Sequence, residues 1–155
     1  MNPFAIALAS LITGCGSRDE SDEPKKDAPP KMDEDIVRMV KEFKQDLPLC
    51  KVPDIIEKRD KWSDDRPIAT AATMQDKPFI WIDKDKYAAL SPKQQEILVW
   101  HELGHVNGEK HPDGVRIGDE VDDIMQPFGD AKFVDNWDLQ EKKNQLIKRL
   151  LEKCK

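Results

Sequence analysis

All three histidines of the chain, His101, His105 and His111, fall within eleven residues. His101 and His105 stand four apart, a spacing that puts two side chains on one face of an α-helix, one turn apart. The helix itself is well signalled. Ser91 can cap its start, Pro92 suits the first helical position, and Gln94 can close a capping box. The following Ile97-Leu98-Val99-Trp100 is apolar on every side, which predicts a helix buried all round. Gly108 can take the positive φ that ends a helix and turns the chain. The fold must therefore enclose this helix while leaving its last turn within reach of a ligand.

Histidine is the commonest metal-binding side chain. Two imidazoles on one helix face can grip one ion, and a turn at Gly108 lets His111 approach from the side as a third ligand. Three protein ligands with one position open is the pattern of a catalytic zinc. Glu102, beside the ligands on the same helix, is placed to act as general base on water activated by that zinc, and to return the proton to a leaving amine. Glu120 offers an alternative third ligand. The run Asp119-Glu120-Val121-Asp122-Asp123 lacks the glycine and spacing of an EF-hand loop and reads as a solvated acidic loop rather than a calcium site.

His101-Glu102-Leu103-Gly104-His105-Val106-Asn107-Gly108-Glu109-Lys110-His111 resembles the H-E-x-x-H-x-x-G-x-x-H signature of the metzincin zinc metallopeptidases. Met125, in Asp123-Ile124-Met125-Gln126-Pro127, resembles their Met-turn methionine, and the whole looks most like the matrixin branch and small bacterial matrixin-like peptidases. The resemblance covers roughly residues 67–127. It implies a Zn(2+) cofactor, peptide or protein substrates, and an α+β, minimal metzincin-like domain. That domain would have a small twisted sheet, an active-site helix, an N-terminal helix and a C-terminal helix. It further implies an upper edge strand at residues 67–73, where Ile68, Ala69, Thr70 and Ala71 would offer backbone to an extended substrate. Residues 79–83 would form the neighbouring strand, and the specificity pocket would lie around residues 115–133. Three features depart from the family. Strand-like segments are few, Gln126 rather than tyrosine follows the methionine, and no cysteine-switch propeptide is present.

Elsewhere the pattern predicts an amphipathic helix over residues 33–47, from Ile36, Val37, Val40, Phe43 and Leu47, stopped by Pro48. Phe79-Ile80-Trp81-Ile82 is a β run. Residues 54–65 read as a short helix or a loop. Residues 136–153 predict a last helix, with Leu139, Leu146, Ile147, Leu150, Leu151 and Cys154 on one face, acids early and bases late.

At the N-terminus, Phe4 to Ile12 is an apolar run too short to span a membrane. It ends in Ile12-Thr13-Gly14-Cys15, which resembles the bacterial lipobox, although no Lys or Arg precedes it. The resemblance implies a signal peptide over residues 1–14, lipidation of Cys15, and an exported protein held on a membrane by a lipid anchor. Residues 15–32 are polar, charged and proline-containing, the composition of a flexible linker, which leaves 33–155 as the folded domain. In an oxidising compartment Cys50 and Cys154 are candidates to pair. The net charge of −6 and the absence of a basic stripe argue against a nucleic-acid partner, and a monomer is expected. The rival reading is a non-catalytic zinc-binding surface lipoprotein. Glu102 speaks against it, because zinc binding alone does not require a base there.

Overall fold

The computed structural model describes residues 33–60, 67–116, 119, 121–127 and 135–155. The readings of residues 1–32, with Cys15, of Glu120 and of much of 115–133 lie outside them. Among the described residues the chain is α+β, with a three-stranded sheet and four helices, and no helix is long and apolar enough to cross a membrane.

Helix α1, Glu34–Asp46, starts at Asp33, whose side chain accepts from the Asp35 N–H at 3.1 Å. It buries Ile36, Met39 and Phe43, with Leu47 just beyond. Val37, expected on that face, is 45% exposed, and Met39 takes its place. The i, i+3, i+7 stripe fits the helix period better than adjacent Ile36 and Val37 can.

The sheet consists of β1, Ile55–Arg59, β2, Ala69–Met74, and β3, Lys77–Asp83, in the order β1-β3-β2. β3 runs parallel to β1 and antiparallel to β2. Strand β1 corrects the helix-or-loop reading of residues 54–65. Its Glu57, Lys58 and Arg59 conceal it in the sequence, because each charged head finds a partner at the surface. Arg59 pairs with Glu57 at 2.8 Å and covers the Trp81 ring, and Lys58 reaches Asp33 at 2.6 Å. Between β2 and β3, Gln75 and Asp76 both hold positive φ, 52° and 62°. That is the geometry of a two-residue type I′ hairpin, and it sets the register that places Ala71 opposite Ile80.

Asp83 ends β3 and caps a short helix, α2, Lys84–Ala88, that the sequence pattern does not announce; Tyr87 on it is buried. Helix α3, Pro92–Val106, begins with the Ser91–Gln94 capping box and Pro92. Ile97, Leu98, Val99, Trp100 and Leu103 are all buried, because α3 lies between the sheet, α1 and the last helix. Trp100 meets Phe43 of α1 edge-on, with ring centroids 5.2 Å apart.

The last helix, α4, is Leu139–Lys153, capped by Asp138, whose carboxylate accepts from the Glu141 N–H at 3.0 Å. It starts three residues later than the periodicity predicts, because Asp138 caps better than Asn136 and Trp137 extend. Leu146 and Leu150 are buried but Leu151 is 54% exposed. Lys143 is buried as well. It pairs with Glu42 of α1 at 3.0 Å and with Glu96 of α3, and lies over the Trp100 ring. An ammonium so enclosed is tolerated because both carboxylates face it.

Cys50 and Cys154 form a disulfide, with Cα atoms 4.9 Å apart and 104 positions between them in sequence. It ties the end of α4 to the segment between α1 and β1. Closing a loop of that length stabilises by about 4 to 5 kcal/mol in the chain-entropy view. Reduction, or the Cys50→Ala/Cys154→Ala double variant, should therefore lower the melting temperature by roughly 15 to 20 °C. Calorimetry with and without reductant measures it; equal melting points would show that the bridge contributes nothing.

Candidate metal centre

The Nε2 atoms of His101, His105 and His111 converge, at 3.0 Å for 101–105 and 105–111 and 3.3 Å for 101–111. Each ring arrives by a separate device. His101 and His105 come from successive turns of α3, as their spacing predicts. His111 arrives after a helix stop in which Gly108, at φ 80°, bonds back to His105 O while the Glu109 N–H bonds to Gly104 O, both at 3.0 Å. These two bonds make the Schellman closure of an α-helix, and they turn the chain so that His111 faces the helix it has just left.

Two hydrogen bonds decide what the convergence means. His101 Nδ1 lies 2.8 Å from the carbonyl of Ile124, and His105 Nδ1 lies 2.9 Å from the carbonyl of Glu109. A carbonyl only accepts, so each Nδ1 carries a proton, and the neutral form of such a ring turns an Nε2 lone pair inward. Two such lone pairs 3.0 Å apart repel; they cannot bond to one another. A cation between them resolves the conflict. Nitrogens around a tetrahedral zinc, at Zn–N of about 2.0–2.1 Å, stand about 3.3 Å apart, close to the spacings here. The three histidines form the one cluster of metal-ligating side chains among the described residues, and they fit zinc by donor type, number and spacing.

The electrostatics point the same way. Burial, with repulsion from His105, pulls the pKa of His101 down to about 3, against the pull of the Ile124 carbonyl. His111 is lowered too, by burial and then by His105. Both rings are thereby held neutral, the form that binds metal.

Glu102 is 4% exposed, and its carboxylate lines a cleft of about 440 Å³ that the three histidines also line. Burial pushes its pKa up to about 7, opposed by a hydrogen bond from the backbone N–H of Ala71. Its Oε2 makes no hydrogen bond within the protein. The donor comes from the predicted edge strand. β2 pairs with β3 alone in the sheet, and the bond from the Asp83 N–H to Ile68 O sets the alternation that sends the N–H groups of Ala69 and Ala71 outward. Ile68, Ala69, Thr70 and Ala71 line the cleft together with Leu98 and Pro127.

Met125 is fully buried beneath the site in a tight turn, closed by the bond from the Gln126 N–H to Asp123 O at 3.1 Å. Its sulfur lies against α3 so closely that a Cβ at Gly104 would stand 2.5 Å from Sδ. Gly104, inside the motif yet not a ligand, is glycine because the methionine occupies that space. Sequence reasoning missed the two carbonyls that orient the ligands. They are backbone groups of Ile124 and Glu109, and no side-chain pattern marks them.

The family whose pattern matches this chain is described as "Putative phage metallopeptidase", and the match spans residues 57–153. It covers more than half of the chain and runs from within β1 to the end of α4, with all three histidines. The chain belongs to this family of metallopeptidases. No curated protein and no solved structure gives a match.

The raised pKa of Glu102 has a stability consequence in protein stripped of metal. A carboxyl raised from 4.5 to about 7 on folding is favourable while protonated, and that advantage is complete below pH 4.5. It is lost as pH rises through 7, at a cost on the order of 3 kcal/mol. Glu102→Gln stays neutral throughout. In chelator, its melting temperature should equal that of the wild type near pH 4 and exceed it by pH 8. A difference that did not change with pH would contradict the buried, undersatisfied carboxylate.

Proposed function

We propose that this protein is a zinc-dependent, metzincin-type endopeptidase, with His101, His105 and His111 as ligands and Glu102 as general base. The single observation carrying this reading is the inward convergence of three histidine Nε2 atoms beside a carboxylate that opens on a cleft. A zinc ion held there supplies Lewis-acid activation of water and of the scissile carbonyl. The rest falls to the chain. Glu102, with Oε2 unpaired, takes the proton of the attacking water and delivers it to the leaving amine. It must accept and then release one proton in each turnover. The outward edge of β2 receives an extended peptide by strand addition. Hydrogen bonding along a backbone edge is indifferent to side chains, which fits an enzyme that binds the interior of a chain rather than one terminal residue. Met125, packed against Gly104 of α3, supports the metzincin type within the metallopeptidase class.

The full chain should bind about one zinc and cleave members of a peptide library. Glu102→Ala should keep the zinc and lose at least a hundredfold in kcat/KM. His111→Ala should lose zinc affinity sharply. Zinc-loaded wild type that cleaves nothing the Glu102→Ala variant leaves intact would leave only the zinc-binding lipoprotein. Unchanged zinc content in His111→Ala would move the third ligand to Glu120.

We further propose that the enzyme works outside the cytoplasm on a lipid anchor at Cys15, with residues 15–32 as tether. The Cys50–Cys154 disulfide supports an oxidising compartment. Expressed in a bacterium, the wild type should fractionate with membranes, and Cys15→Ser should leave them. Wild type in the cytosolic fraction would sink this proposal without touching the chemistry.

A further inference from the structure

The two carbonyls that orient His101 and His105 sit on separate loops, one after Gly108 and one at the Met125 turn, and neither loop belongs to the sheet. What holds them at hydrogen-bonding distance is therefore a separate question from what supplies the ligands. Each loop carries an acidic residue, Glu109 on the first and Asp123 on the second. Both acids meet the same side chain of α4. Arg149 grips Asp123 with two parallel bonds, Nη1 to Oδ2 at 3.0 Å and Nη2 to Oδ1 at 2.9 Å. Its Nε lies 3.2 Å from Glu109 Oε2 as an ion pair, without hydrogen-bond alignment. Lys153, one turn further along α4, supports Glu109 from the other oxygen at 2.7 Å. The gripped carboxylate of Asp123 also accepts from the Met125 N–H at 2.8 Å.

We propose that Arg149 is a positioning residue for the metal: one guanidinium clamps the two loops whose carbonyls set the tautomer and angle of the two helix-borne ligands. The inference rests on the zinc-binding role proposed for the three histidines. The geometry suits arginine in particular, because its planar fork can engage one carboxylate through both Nη atoms while Nε faces another. Lysine offers a point charge and cannot hold both loops at fixed angles. The Glu109 side chain, 8% exposed, would lose one of its two cations without Arg149, and its backbone carbonyl would lose its anchorage with it.

Charge alone predicts the opposite effect. A cationic side chain near a metal site repels the ion, so removing Arg149 should strengthen zinc binding if its field were all that mattered. A loss of affinity therefore isolates positioning from electrostatics. A merely structural role in docking α4 is separated by Lys143, which anchors the same helix to α1 and α3 through Glu42 and Glu96 and touches neither loop.

The test uses the full chain as wild type, Arg149→Met, Arg149→Lys and Lys143→Met. Zinc affinity is read by chelator competition, the cobalt(II)-substituted site by its visible ligand-field spectrum, and folding by the melting temperature of the metal-free form. Arg149→Met should lose 10- to 100-fold in zinc affinity, the range typical of groups that orient metal ligands, and its cobalt bands should shift. Arg149→Lys should recover only part of the affinity; if the methionine variant does not fold, a loss of about fivefold or more in the lysine variant supports the positioning role on its own, and a smaller loss overturns it. Lys143→Met should melt earlier, yet keep wild-type affinity within about twofold and the wild-type cobalt spectrum. Affinity and spectrum unchanged on loss of Arg149, or an equal loss in Lys143→Met, would overturn the positioning role. A wild type that binds no zinc would instead overturn the zinc-binding role on which it rests.

Discussion

Three imidazole nitrogens gathered within 3.0 to 3.3 Å of one another are the arrangement on which the rest of this protein depends. His101 and His105 are aimed into it by groups on their far sides. The carbonyls of Ile124 and Glu109 take the Nδ1 protons, and burial keeps His101 from acquiring a second proton. The enclosure of α3 follows from the same need. A helix packed on the sheet, α1 and α4 at once cannot rotate to relieve strain at its last turn. A cation bound among the three histidines would therefore contribute its binding free energy to folding.

How much of this was legible in the sequence depended on how local each cause was. The helix start at Ser91-Pro92-Gln94 and the stop at Gly108 are written in consecutive residues, and both stand where the pattern puts them. The α+β class followed from the resemblance carried by the histidine motif, and one apolar β run flanked by helical periodicities agreed with it. Strand β1 was hidden because its charged side chains are satisfied by Asp33 and Trp81, each more than twenty residues away. The inward turn of Met39 in place of Val37, and the exposure of Leu151, depend on which neighbouring surfaces meet α1 and α4. Lys143 reads as a solvent-facing base until Glu42 and Glu96 are known to enclose it.

The site divides in the same way. The ligands, the carboxylate and the glycine turn lie within one short stretch and could be named from it. The groups that orient the ligands could not, since a backbone carbonyl has no letter of its own. Gly104 shows the intermediate case. Its presence in the motif is plain, but its reason, the sulfur of Met125, lies in a turn about twenty residues further on.

The Cys50–Cys154 bridge has one more consequence. It closes a covalent ring that contains the sheet, α3 and all of α4. A single backbone cut anywhere inside that ring opens it without releasing a fragment. An enzyme that severs peptide bonds is exposed to the activity of its own neighbours wherever it is concentrated. Here a first nick leaves every ligand on a connected chain, so damage requires two hits rather than one.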